Sequence, residues 1–165
     1  MLIKFFLGVA IVAFTSFCGH LFAKKYRRRM LFFQQFYTFN ERFLSEIAYY
    51  RRPIKDFISL HSYEGEFDEC LREIFTVKQE NLPINGMLAK SDNYTFLKEE
   101  DRKTAEDYFS MLGKGDSASQ KAYFSSMKES LLTLRKEAEA DAKRYGDLYV
   151  KIGFLCGLLI LILMV

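Results

Sequence analysis

The nine residues from Leu112 to Gln120, LGKGDSASQ, admit two opposite readings, and the choice between them decides the fold. A lysine between glycines, with serines after it, has the composition of a phosphate cradle joining a strand to a helix in an α/β enzyme. The spacing refuses that reading. A nucleotide-binding loop needs Gly, four residues, then Gly-Lys-Ser/Thr, whereas Gly113-Lys114 is followed by Gly115 and Tyr108 stands five before Gly113. The segment leading into the stretch also has helical rather than strand periodicity. A corner between two helices accounts for each residue type. Leu112 ends an apolar stripe, and Gly113 can take the left-handed conformation that closes a helix. Gly115 is a second permissive position. Ser117 with Gln120 three residues later reads as a capping box. Asp116 is the other capping candidate, or adds negative charge near the start of the next helix, and the sequence leaves the two open.

Working outward, helical spacing dominates on both sides of this corner. Phe36, Phe39, Phe43, Ile47 and Tyr50 recur every three or four residues, one apolar stripe. Pro53, after Arg51 and Arg52, suits the first position of a short helix carrying Ile54, Phe57, Ile58 and His61. His61 is expected at the edge of a core. Gly65 interrupts, and Phe67, Cys70, Leu71 and Ile74 form a third stripe. From Val77 to Phe96 the period fades among Asn, Pro, Gly, Ser and Asp, which predicts a loop with room for one helical turn. A helix resumes through Leu97, Asp101, Ala105, Tyr108, Phe109 and Leu112. The longest stripe lies beyond the corner: Tyr123, Met127, Leu131, Leu134, Ala138, Ala142, Tyr145 and Tyr149, weakened only by Gly146.

Both ends of the chain are apolar. Phe5 to Ala23 carries no formal charge over nineteen residues, about the length that crosses a ~30 Å hydrocarbon layer as a helix. Bulky Leu21 and Phe22 before a basic cluster argue against a cleaved leader and for a retained anchor. The last fourteen residues, Ile152 to Val165, are uncharged too and extend about 21 Å as a helix. Leu148 to Val150, with Lys151 reaching its ammonium toward headgroups, bring that length close to a full crossing. Five of the six residues from Lys24 to Arg29 are basic, and Lys143, Arg144 and Lys151 flank the second span on its inner side. The positive-inside rule then expects a cytoplasmic centre and both termini outside. The expected organisation is all-α: a transmembrane helix over 1–23, a cytoplasmic helical bundle over 24–150, and a second transmembrane helix over 151–165.

Catalytic constellations are sparse. The chain has two histidines, and His20 falls in the first span, where it reads as an interfacial residue. Glu99, Glu100 and Asp101, and likewise Glu137, Glu139 and Asp141, read as solvated helix faces. Three cysteines, Cys18, Cys70 and Cys156, show neither metal-ligand spacing nor a disulfide framework. No cofactor, metal, nucleic acid or small-molecule substrate is therefore expected, and the chain reads as a non-enzyme. Arg51 and Arg52 are the one place where a phosphate or a partner carboxylate could be held. A small membrane-bound enzyme or lipid-headgroup-binding protein using that region is the alternative reading.

The order of these features resembles the stage III sporulation protein AB family of endospore-forming bacteria. An apolar span with Gly8 and Gly19 ends in AKKYRRR. SEIAYYRRPIKDF is similar to that family's Glu-Ile, here Glu46-Ile47, followed by a short helix led by Pro53. LGKGDSASQ is similar to its Leu-Gly-x-Ser-Asp-x-x-x-Gln signature at Leu112, Gly113, Asp116 and Gln120, with Gly115 replacing Ser. The resemblance covers nearly the full length, most weakly from Val77 to Phe96. It implies a helical cytoplasmic domain related to the inner-membrane platform proteins of type II secretion and type IV pilus machines. It also implies a place in the mother-cell membrane around the forespore, within a channel complex. The implied partners are a secretion-type ATPase and the other subunits of that complex.

Overall fold

The computed structural model describes residues 2–50, 54–80 and 82–164. Among the described residues there is no strand. The helices are α1 (Leu2–Ser45), α2 (Ile54–Leu60), α3 (Glu66–Gln79), α4 (Met87–Lys90), α5 (Glu99–Met111), α6 (Ser117–Asp141) and α7 (Asp147–Met164). A π-helical turn, Glu46–Tyr50, extends α1, a second one, Ala142–Gly146, joins α6 to α7, and Asp92–Tyr94 form a 3₁₀ turn. α1 runs unbroken through the basic cluster because lysine and arginine are good helix formers and no Gly or Pro intervenes between Gly19 and Pro53. The chain divides into two compact units, 1–30 with 137–165, and 31–136.

The unit of 31–136 is organised around aromatic rings. Phe32, Phe36, Phe39 and Phe43 project from one face of α1 and are buried, as the stripe requires. Phe57 of α2, Phe67 of α3, Tyr108 and Phe109 of α5 and Phe124 of α6 close around them. Phe36 stacks on Phe109 at 5.3 Å and meets the edge of Tyr108 at 4.8 Å, and Phe43 meets Phe124 edge-on at 4.9 Å. Burying each such ring stabilises the unit by about 2–3 kcal/mol, and edge or offset pairing adds to that. One polar thread crosses the core: the Tyr108 hydroxyl donates to Asn40 Oδ1 at 2.8 Å, and Asn40 Nδ2 donates to the Phe124 carbonyl at 3.3 Å. Both side chains are buried, so each must find these partners.

The stretch expected to be a loop is more ordered than its composition suggests. α3 continues to Gln79, and α4 and the 3₁₀ turn occupy part of the segment before Phe96. The cause lies outside the segment. Buried Glu106 of α5 accepts from the Gly86 N–H at 2.7 Å and the Leu88 N–H at 2.8 Å, fixing the start of α4. Asp101 also departs from expectation. It is buried, and its carboxylate accepts from the Lys98 N–H at 3.0 Å, so it closes the start of α5 instead of facing solvent. His61 stands at the core edge as expected, Nδ1 lying 3.0 Å from the Phe57 carbonyl.

The unit of 1–30 and 137–165 is built on a different principle. Apart from Arg29, its buried positions are small: Gly8, Gly19 and Ala23 on α1, with Ala138, Ala142, Gly146 and Gly157 on the other segment. A methyl group added at Gly19 would lie 2.5 Å from the Tyr149 carbonyl oxygen, and one at Gly153 would lie 2.6 Å from that of Thr15. One at Gly157 would strike the Thr15 hydroxyl. The two backbones touch because nothing stands between them, the close approach that small-xxx-small spacing permits in membrane helices. Tyr26 stacks on Tyr145 at 5.2 Å near the end of this seam. There Arg29, almost fully buried, donates to Asp141 at 3.0 Å. Asp141 thus leaves the solvated helix face read from sequence, and Arg29, one of the basic residues flanking the first span, is tied up in one ion pair.

The large side chains of this unit point away from the seam. Phe6, Phe14, Phe17 and Phe22 on α1, and Leu155, Leu159, Ile162 and Leu163 on α7, are exposed. Two helices, Phe6–Tyr49 and Ser117–Leu163, are long and apolar enough to cross a membrane. Only 17% and 11% of their most apolar windows are buried within the protein, which is unlike the core helix of a soluble domain. An apolar surface this continuous is of the kind that fits membrane association.

Candidate functional site

The LGKGDSASQ corner is a helix-to-helix turn. Gly113 and Gly115 both have positive φ, +76° and +80°, a conformation open to glycine and costly for residues with a Cβ. The Lys114 N–H donates to the Met111 carbonyl at 3.1 Å, and Leu112 is buried beneath the turn. The cap of α6 is Asp116, one of the two readings the sequence left open. Its carboxylate accepts from the Ser119 N–H at 3.3 Å, and its carbonyl from the Gln120 N–H at 3.0 Å. Hydrogen bonds from Ser119 hold the Asp116 carboxyl below its ordinary range. Ser117 is instead the first residue of the helix, and the Gln120 amide reaches back to donate to the Gly115 carbonyl at 3.4 Å.

This corner meets the other motif. A cleft of 220 Å³ is lined by Phe43 at the end of α1, Glu46 and Ile47 of the π-helical turn, Ile54 opening α2, and Gly113, Ser117 and Gln120. Glu46 and Gln120, far apart in the chain, therefore share one small depression. The π-helical turn has a local consequence: a wider turn breaks the even stripe of α1 just past Phe43, and such turns recur at functional sites. Glu46 is buried at the cleft, while Ile47 and Ile54 are partly exposed. Arg51, Arg52 and Pro53 lie outside the described residues. Leu112 and Asp116 support the corner and do not line the cleft.

Chemically the cleft offers apolar walls, one carboxylate and two short polar side chains. It is smaller than the ~300–1,000 Å³ of sites that enclose drug-sized ligands. Its size suits a side chain or the end of a helix. Among the described residues no three His, Cys, Asp or Glu come together as a metal-binding group. Sequence reasoning found every lining residue type except the pairing itself, since nothing local to Glu46 points to Gln120.

An aromatic-cored helical unit, in one chain with two membrane-competent helices seamed by glycine, defines a class of small helical proteins suited to membrane association. Within that class the assignment is specific. The family model for stage III sporulation protein AB matches residues 4–165, and the chain belongs to that family. No curated protein and no solved structure matches it.

Proposed function

We propose that this chain is a non-catalytic membrane platform subunit of a secretion-like channel complex required for endospore formation. In this reading α1 and α7 anchor it in the mother-cell membrane around the forespore, with both termini outside. The unit of 31–136 lies in the cytoplasm and docks a secretion-type ATPase, alongside the other subunits of the complex. The observation that carries the reading is the cleft shared by Glu46 and Gln120, in which two separated family-like motifs form one surface sized for a partner's side chain. The basic residues flanking the apolar runs support the orientation.

The test is co-purification. A detergent extract of sporulating cells should yield the ATPase with the unsubstituted chain and lose it with Ser117→Arg, which places a long cation at the cleft mouth on an exposed position. Helix content and membrane fractionation should stay unchanged. If the unsubstituted chain never retains an ATPase, the platform reading fails. Retention by Ser117→Arg would remove the cleft from the docking surface. Protease added outside intact cells should leave 31–136 uncut, and cleavage there would overturn the orientation.

A further inference from the structure

A second cleft of the 31–136 unit holds two lysines and no acid to balance them. Lys78, in the last turn of α3, and Lys114, in the glycine corner, line 380 Å³ together with Leu82, Pro83, Ile84 and Ser110. Lys78 is half-buried at the cleft wall, and its Nζ donates to the Leu112 carbonyl at 2.5 Å, beside the closing residue of α5. Among the described residues no carboxylate is paired with either lysine. Pro83 and Ile84 lie just before Gly86 and Leu88, the residues tied to Glu106, so part of the wall is held in place.

We propose that Lys78 is a site of acylation by acyl phosphates, with Lys114 holding the phosphate of the donor. The neutral Nζ attacks the acyl carbon and an N–C bond forms. The C–O bond to phosphate breaks, its electron pair leaves with inorganic phosphate, and the extra proton on nitrogen passes to water. The products are an amide on Lys78 and phosphate, with one positive charge removed from the cleft.

Three features favour this amine over other lysines of the chain. First, the nucleophile must be neutral. Burial, and secondarily the charge of Lys114, bring the Lys78 amine down to about 8. At pH 7.5 roughly a quarter of such amines are neutral, against about 0.1% of ordinary lysines. Desolvation beside a second cation is a general route to a nucleophilic lysine. Second, Lys114 is an exposed ammonium in the same cleft, suited to a dianionic phosphate. Third, the apolar side chains of Leu82, Pro83 and Ile84 suit the acyl methyl group. The modification would fall beside Leu112, at the closing end of α5, and so acts on the glycine corner without requiring the platform reading.

The experiment uses the full chain in detergent micelles at pH 7.5. Acetyl phosphate and the uncharged N-hydroxysuccinimide ester of acetate are compared, with initial acylation rates at each lysine read by mass spectrometry. With acetyl phosphate, Lys78 should react at least tenfold faster than exposed Lys103 and Lys121, and its rate should rise with a midpoint near pH 8. Lys114→Gln should lower the Lys78 rate with acetyl phosphate at least fivefold more than with the ester. Equal falls for the two reagents would remove Lys114 from the site. A Lys78 no faster than Lys121 in the unsubstituted chain would overturn the proposal without any variant.

Discussion

The two units of this chain are both helical and follow the same 3.6-residue period, yet they are held together by opposite means. In 31–136 large rings converge, and stability comes from the apolar area they remove from water. In 1–30 with 137–165 most large apolar side chains face outward and the closest contact is made by glycines, with the Tyr26–Tyr145 stack and the Arg29–Asp141 pair at one end. Helices of this composition are suited to lipid, and where the surroundings are as apolar as leucine, close backbone packing takes over from burial. Helical period alone therefore says where the faces are. Side-chain size along the face says what kind of solvent the helix expects.

The comparison can be broken most severely in the aromatic unit. Phe36→Ala deletes a ring that touches Phe109 and Tyr108, and should cost about 4 kcal/mol, measured by denaturant unfolding of the full chain in micelles. Loss below 1 kcal/mol would mean that the core is not built on that ring. In the glycine-seamed unit the harmful change is an addition. Gly153→Ala should cost about 2 kcal/mol because the new methyl meets the Thr15 carbonyl, while Leu155→Ala on the exposed face should leave the seam intact. A reversed ranking of those two variants would show that the seam is misplaced.

Smaller effects sharpen the glycine corner. Gly113→Ala must hold a Cβ at a φ of +76° with open space around it, so the cost is backbone strain alone, about 1 kcal/mol. Gly113→Asn should recover part of that in the same measurement, because asparagine tolerates the conformation better. Asp116→Ala tests the cap through pH. The folded-state pKa of Asp116 is depressed, so its contribution is complete above the unfolded value near 3.8 and disappears as pH falls below it. The unsubstituted chain should lose this increment on acidification, and Asp116→Ala should lack it already at neutral pH.

Much of this architecture was legible because it is local. The apolar ends, the phenylalanine stripe of α1 and the Gly113 turn each depend on residues within a few positions of one another. The features that escaped were set by distant partners. Arg29 lies in the basic cluster that read as a flank of the first span, and only the fold supplies Asp141 to it. Glu106 looks like any surface acid of an amphipathic helix until Gly86 and Leu88 present their N–H groups. The shared cleft was hidden for the same reason: Glu46 and Gln120 belong to motifs that could each be read alone, while their adjacency depends on how α1, α2 and α6 pack. The π-helical turns left no specific sequence signal: Gly146 weakens the helix there without indicating a wider turn.

The second of those turns bears on how the length of this chain could change over evolution. A π turn holds one residue more than an α turn at the same place. Removing one residue between Ala142 and Gly146 would close the turn to ordinary α-helix and leave Gly153 and Gly157 facing Thr15. The same deletion between Tyr149 and Gly153 would rotate the glycines about 100° off the seam. Ala142–Gly146 is thus a point where single-residue insertions and deletions can be absorbed, whereas the helix after it has a fixed count.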